Sequence, residues 1–262
     1  MNFKDKYRPA KLEEFGGSRT VAWAKNMLRN APMNVALIGR FGTGKSTLAQ
    51  LIIQGLFCDA VQEKKPCGEC PACIFVRKHW RREGLHWVPG AELSRTDWFQ
   101  AFDCTKMVPT QIMRLREEIS VYGRVPRIFV FDEFHRATLP TQELFLQFLE
   151  DSLPCSMVFC YALENIGRVN EAIRQRLHPF EIRRAEPAAL LALVHRVAAG
   201  EGLQIKDSAS PEMLVDICDG IPRVILSALE MLAMEGEGLS ESGVQRLASR
   251  IQLIYVEDES GK

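Results

Sequence analysis

No apolar run in this 262-residue chain approaches the roughly 18 residues that a membrane-spanning helix needs. Net charge is also absent: 33 Lys and Arg offset 33 Asp and Glu, which argues against a chain that coats nucleic acid through bulk positive charge. Internal repeats and low-complexity tracts are lacking. Residues Met1 to Pro9 are polar, with Lys4, Lys6 and Arg8, and lack the apolar core of a signal peptide. The expectation is a soluble, cytoplasmic protein. What is present is an ordinary globular composition, 47% hydrophobic and 25% charged, enough for one large domain or two modest ones. The charge is unevenly spread. Residues 181–262 hold 8 basic and 14 acidic side chains, whereas 1–180 hold 25 and 19. That split permits a polyanionic ligand at one end only.

Val35 to Ile38 is a short apolar run ending in glycine, and an apolar-periodic stretch follows from Ser46 to Phe57, which predicts strand, turn and helix. Arg127–Phe131 and Ser156–Tyr161 read as strands around a helical Thr141–Leu149, with Trp98–Phe102 and His178–Ile182 as weaker strands. Strands alternating with helices imply an α/β fold whose parallel sheet is covered on both faces. After Arg184 the pattern becomes all-helical: Pro187–Gly200, Ser210–Gly220, Pro222–Glu235 and Ser240–Val256. The expected division is a core over 1–183, a helical domain over 184–256 and a frayed tail over 257–262.

Gly39-Arg-Phe-Gly42-Thr43-Gly44-Lys45-Ser46-Thr47 matches a phosphate-binding loop, delivered by a buried strand and opening a helix. Backbone N–H groups there can surround a β-phosphate. Gly42 and Gly44 permit the backbone path, Lys45 reaches the β/γ oxygens, and Ser46 offers its hydroxyl to Mg²⁺. Four apolar residues, Ile128 to Phe131, then deliver Asp132 and Glu133 to the C-terminal end of a central strand, where open α/β sheets bind ligands. Asp132 is placed to hold the Mg²⁺ shell and Glu133 to polarise an attacking water. Two solvated acids capping a helix are the bland alternative. Together the motifs indicate a nucleoside triphosphatase.

Cys58, Cys67, Cys70 and Cys73 form C-x8-C-x2-C-x2-C, spacings that let thiolates converge on Zn²⁺. Disulfides compete with that reading, but not in a cytoplasmic nucleotidase. Cys104, Cys155, Cys160 and Cys218 sit singly in apolar surroundings and read as core thiols.

Taken in order, these motifs resemble those of AAA+ clamp-loader ATPases, most closely the bacterial gamma/tau family of the DNA polymerase III clamp loader. Tyr7-Arg8-Pro9 with Phe15-Gly16-Gly17 resembles that family's adenine-pocket segment, and the four cysteines over 58–73 resemble its inserted zinc module. Asp103-Cys-Thr105 is similar to the acidic turn after the second strand, and Asp132-Glu133-Phe-His135 to the second nucleotide motif. Ile173-Arg-Gln-Arg176-Leu177 is similar to the segment whose arginine reaches a neighbouring subunit's nucleotide. Gly220-Ile-Pro-Arg223 is similar to the lid arginine motif that contacts the γ-phosphate in cis. The resemblance spans residues 4 to 235. It implies a P-loop AAA+ core with a small helical lid, ATP, Mg²⁺ and Zn²⁺ as cofactors, and other AAA+ subunits, DNA and a sliding clamp as partners.

Three departures stand out. Arg174 lies beside the finger candidate Arg176. The Thr or Asn expected at the end of the fourth strand is displaced in Tyr161-Ala-Leu-Glu164-Asn165, where Asn165 serves only if the loop shifts. The helical collar that the resemblance implies after the lid is expected to be missing. For DNA, the basic run Arg77–Arg82 reads equally as a solvated face, and Arg114, on the helix after Asp103, is the candidate for phosphate contact without base reading. Arg116 is one step round and could pair with Glu117 or Glu118 instead, and Trp98, Phe99 and Phe102 are expected to be core. Residues 84–96 form an insertion relative to the family. The leading expectation is an ATP-hydrolysing subunit of a clamp-loader-like assembly in replication or repair. Its alternatives are a clamp-independent DNA-binding oligomer or filament and a non-hydrolysing structural subunit.

Overall fold

The structure, a computed structural model, describes residues 2–80, 99–122, 128–151, 153 and 155–259. In chain order the elements are α1 (Phe3–Lys6), α2 (Ser18–Asn30), β1 (Asn34–Gly39), α3 (Lys45–Phe57), α4 (Pro71–His79), β2 (Phe99–Asp103), α5 (Pro109–Tyr122), β3 (Ile128–Asp132), α6 (Leu139–Glu150), β4 (Ser156–Ala162), α7 (Glu171–Arg176) and β5 (His178–Glu181). α8 (Pro187–Glu201), α9 (Ser210–Ile217), α10 (Pro222–Met234) and α11 (Glu241–Glu259) follow. The chain divides into two compact units: Pro9–Phe41 with Lys45–Ile182, and Met1–Arg8 with Gly42–Gly44 and Arg183–Lys262.

In the first unit the five strands form one parallel sheet in the order β2-β3-β4-β1-β5. Successive side chains of a strand face opposite ways, so a strand buried on both faces is apolar throughout. Val35 and Leu37 of β1, Ile128 and Val130 of β3, and Val158 and Cys160 of β4 point into one core with α2, α3 and Val76 of α4. Ala36, Ile38, Phe129, Phe131, Met157, Phe159 and Tyr161 point into the other, against Ile112, Leu115, Phe145, Phe148 and Ile173 of α5, α6 and α7. This is the sheet covered on both faces that the strand–helix alternation predicts. Phe99 is buried, and Phe102 stacks on Phe131 at 5.4 Å, as core residues. Trp98, Arg81, Arg82 and the 84–96 insertion lie outside the described residues. The remaining single cysteines, Cys104, Cys155, Cys160 and Cys218, are all buried.

Local chemistry sets the ends of the elements. Thr138 caps α6 by accepting from the Thr141 N–H, with proline in the first turn, and Asn170 caps α7 by accepting from Ala172 N at 2.8 Å. Buried Gln142 ties the two together. Its Nε2 donates to Ala137 O and Arg168 O, and its Oε1 accepts from Asn170 N at 2.7 Å. Arg116 pairs with Asp151 and Gln147 across α5 and α6, because the packing of those two helices brings α6's C-terminal end alongside.

The second unit buries Leu190, Val194 and Val197 of α8, Leu214 of α9, Ile225, Leu229 and Leu232 of α10, and Val244, Leu247 and Ile251 of α11. Spacings of three, four and seven are those of amphipathic helices. Phe3 joins this core, and Tyr7 Oη and Lys6 Nζ both donate to Glu201 Oε1 at 2.6 Å. That packing is why the segment ending at Arg8 groups with the helices, whereas the sequence pattern places it in the 1–183 core. α11 also runs through Glu259, into the stretch expected to be a tail. Among the described residues no helix is long and apolar enough to cross a membrane.

Candidate nucleotide site

Because β4 lies between β1 and β3, with Gly39 opposite Ala162 and Phe131 opposite Phe159, the C-terminal ends of all three strands are neighbours. β1 ends at Gly39 and α3 starts at Lys45, so the phosphate loop spans a strand-to-helix turn. Lys45 is 5% exposed, and its Nζ donates to Gly39 O at 2.9 Å and Arg40 O at 3.0 Å and sits 5.3 Å from the Phe41 ring. Burial pulls its pKa down, opposed by the Glu133 carboxylate. Ser46 Oγ donates to both oxygens of Asp132, at 3.0 and 2.7 Å. Thr43 is buried, and Thr47 is half-buried in the first turn of α3. Gly42 (φ +78°) groups with the helical unit, and within it a Cβ on Gly42 would lie 2.6 Å from Ile221 and 3.2 Å from Arg223. Only glycine suits that backbone and that space.

Glu133 adopts a left-handed backbone (φ 53°, ψ 37°), a strained conformation for a residue with a Cβ. Burial first, and the adjacent Asp132 charge second, push its carboxyl above the ordinary carboxylate range. Its Oε2 lies 3.6 Å from His135 Nε2 and 3.7 Å from Arg136 Nε. His135 is 3% exposed, burial holds its pKa down to about 4, and its Nδ1 accepts from Ala162 N at 3.4 Å. The sequence signalled His135 only as the last letter of a motif and gave it no partner.

The other candidates vary in placement. Asn165 is half-buried in a kinked turn, Leu163–Arg168, and its neighbour Glu164 lies 3.5 Å from Arg40 Nε of the phosphate loop. Arg174 Nε donates to Val169 O and is committed to its own turn. Arg176, in contrast, is exposed at the end of α7, donating to Ala172 O at 2.9 Å and to Glu150 Oε1 at 2.8 Å. Arg223 is exposed in the first turn of α10. Tyr7 is held by Glu201, Arg8 pairs with Asp5 at 3.3 Å, Pro9 follows, and Gly16 turns the chain at φ +81° ahead of α2. Arg114 is exposed on α5.

The Sγ atoms of Cys58, Cys67, Cys70 and Cys73 all lie within 4.8 Å of one another, and Cys70 and Cys58 are 3.9 Å apart. A tetrahedron of thiolates around Zn²⁺ has an edge of about 3.8 Å. The cluster could therefore hold zinc with little movement. Backbone N–H groups, that of Glu69 first, bring the Cys67 thiol down to about 7, whereas burial pushes Cys58 and Cys73 up. Lys11 pairs with Glu69 of this module at 2.7 Å.

A family model described as DNA polymerase III, delta subunit, matches residues 18–186. The chain is 28% identical over 255 residues to Protein STICHEL of Arabidopsis thaliana, covering 94% of this chain and 20% of that protein. It is 27% identical over 242 residues to DNA polymerase III subunit gamma/tau of Mycobacterium tuberculosis, covering 87% and 38%, and 21% identical over 255 residues to subunit tau of Bacillus subtilis, covering 95% and 43%. It thus spans from a fifth to under half of the length of these relatives. Among solved structures, the Thermotoga maritima RuvB Holliday junction branch migration motor superposes with a TM-score of 0.60 at 18% identity, over 92% of this chain and 71% of that one. That likeness shows a shared fold.

Proposed function

Because the chain belongs to the DNA polymerase III delta-subunit family, as a clamp-loader-like member of the AAA+ ATPases, we propose that it binds and hydrolyses ATP as one subunit of an assembly acting on DNA in replication or repair. The observation that carries this reading is the meeting of Ser46 with Asp132, directly before Glu133 and beside the phosphate loop.

A hydroxyl and a carboxylate are hard oxygen donors of the kind that suit Mg²⁺. Mg²⁺ bound by Ser46 and Asp132 would neutralise charge on the β- and γ-phosphate oxygens. Lys45 exchanges its two loop carbonyls for phosphate oxygens. Glu133 accepts a hydrogen bond from the attacking water and holds it in line. Arg223 contacts the γ-phosphate in its own chain, and Tyr7, Arg8, Pro9 and Gly16 border the adenine. Arg176 leaves Glu150 to stabilise developing charge on a neighbouring subunit's nucleotide. Arg114 meets DNA phosphates, a sliding clamp is the further partner, and the four-cysteine module carries Zn²⁺.

ATP turnover with Mg²⁺ tests the reading, measured against protein concentration with no DNA, with DNA, and with primed DNA plus clamp. Turnover that rises with assembly and vanishes in Lys45→Ala is expected. ATP bound without turnover under every condition would make the chain a structural subunit.

A further inference from the structure

Three parts of the candidate site meet at one buried imidazole. His135 accepts at Nδ1 from the backbone N–H of Ala162, the last residue of β4, at 3.4 Å. Its Nε2 faces the Glu133 carboxylate at 3.6 Å, and its ring lies edge-on to Phe41 of the phosphate loop at 6.1 Å. The left-handed backbone of Glu133 starts a tight turn, closed by Arg136 N donating to Glu133 O at 2.8 Å, which folds the imidazole back beside the carboxylate. A neutral imidazole carries a single proton. With Nδ1 used as an acceptor, that proton sits on Nε2, so an N–H donor is aimed at Glu133. The separation exceeds hydrogen-bond length, and a shift of about half an ångström closes it.

We propose that His135 is a positioning residue: its Nε2–H orients the Glu133 carboxylate, and its Nδ1 links that orientation to the end of β4 and the Leu163–Arg168 turn. It touches neither nucleotide nor water. The turn it follows carries Glu164, which reaches Arg40 of the phosphate loop. Movement of β4's end is thereby transmitted to the carboxylate through one rigid ring. This inference rests on the reading of Glu133 as the hydrolytic carboxylate.

Two variants separate orientation from packing. Asn at 135 retains an acceptor near the Nδ1 position but cannot reach Glu133, whereas Gln extends an amide N–H toward it. His135→Asn is expected to lower kcat at least tenfold with ATP affinity within twofold of the parent. His135→Gln is expected to recover kcat to within about threefold. Parental kcat in the Asn variant, or equal losses in both variants when both melt as the parent does, overturns the proposal. Nitrogen NMR of the His135 ring gives an answer that needs no turnover. A protonated Nε2 and bare Nδ1, with the Nε2 resonance moved by Glu133→Gln, is expected; a proton on Nδ1 overturns the proposal. A parent that does not hydrolyse ATP, or a Glu133→Gln variant with parental turnover, refutes the functional reading instead, and the ring nitrogens still report on the contact.

Discussion

Ser46 and Asp132, 86 residues apart in sequence, are joined by hydrogen bonds of 3.0 and 2.7 Å from one hydroxyl to both carboxylate oxygens. The pair links the first turn of α3 to the end of β3 across the intervening β4. Each partner is supplied by a different motif, and neither motif specifies the distance between them.

If Glu133 polarises the attacking water, Glu133→Gln removes that charge and leaves the phosphate loop intact. ATP binding should persist while turnover falls about 100-fold or more. Lys45→Ala should lose binding itself. Equilibrium nucleotide binding and steady-state hydrolysis on the same preparations separate the two outcomes.

Arg176 is exposed and is held by Glu150 and by its own helix. If it acts across an interface, Arg176→Ala should bind ATP nearly normally and hydrolyse it about a thousandfold more slowly. Mixing it with Glu133→Gln protein should restore activity, because one interface then pairs an intact Glu133 with an intact Arg176. A mixture shown to co-assemble but still inactive would place Arg176's action within its own chain.

The four-cysteine module should carry one zinc per chain in protein purified without added metal. After chelation, Cys67, with its thiol near 7, should be alkylated at neutral pH well before Cys73, whose thiol burial pushes up. Peptide mass spectrometry against time reads the order. Zinc should protect both.

His135 also sets a pH dependence of stability. Unfolded, it binds a proton below about 6.5; folded, burial defers that protonation to about 4. Between those values the unfolded state holds more protons, so lowering the pH through the window destabilises the fold, by at most about 3 kcal/mol. Urea unfolding at pH 7 and pH 4.5 should show a smaller loss for His135→Gln than for the parent. Equal losses would mean that the imidazole is not held neutral.

The sequence by itself determined the parts of this protein that short-range chemistry decides. A glycine-rich turn between an apolar run and a periodic one can only be strand, loop and helix, and Asp132-Glu133 ends a strand because four apolar residues precede it. Cysteines separated by two residues must lie close in space. Thr138 and Asn170 cap α6 and α7 by bonds that act within one turn, although the apolar pattern started α6 at Thr141 and did not signal α7. The tertiary structure decided every distance between segments remote in the chain. Parallel order β2-β3-β4-β1-β5 is not encoded in any single strand, yet it alone sets Asp132 beside Ser46 and Ala162 over His135. Arg116 meets Asp151, and Arg176 meets Glu150, because helix packing brings those side chains within reach. Glu164 lies against the phosphate loop for the same reason. Spacing along a chain fixes periodicity, but an ion pair between remote segments forms only where packing has already placed both partners.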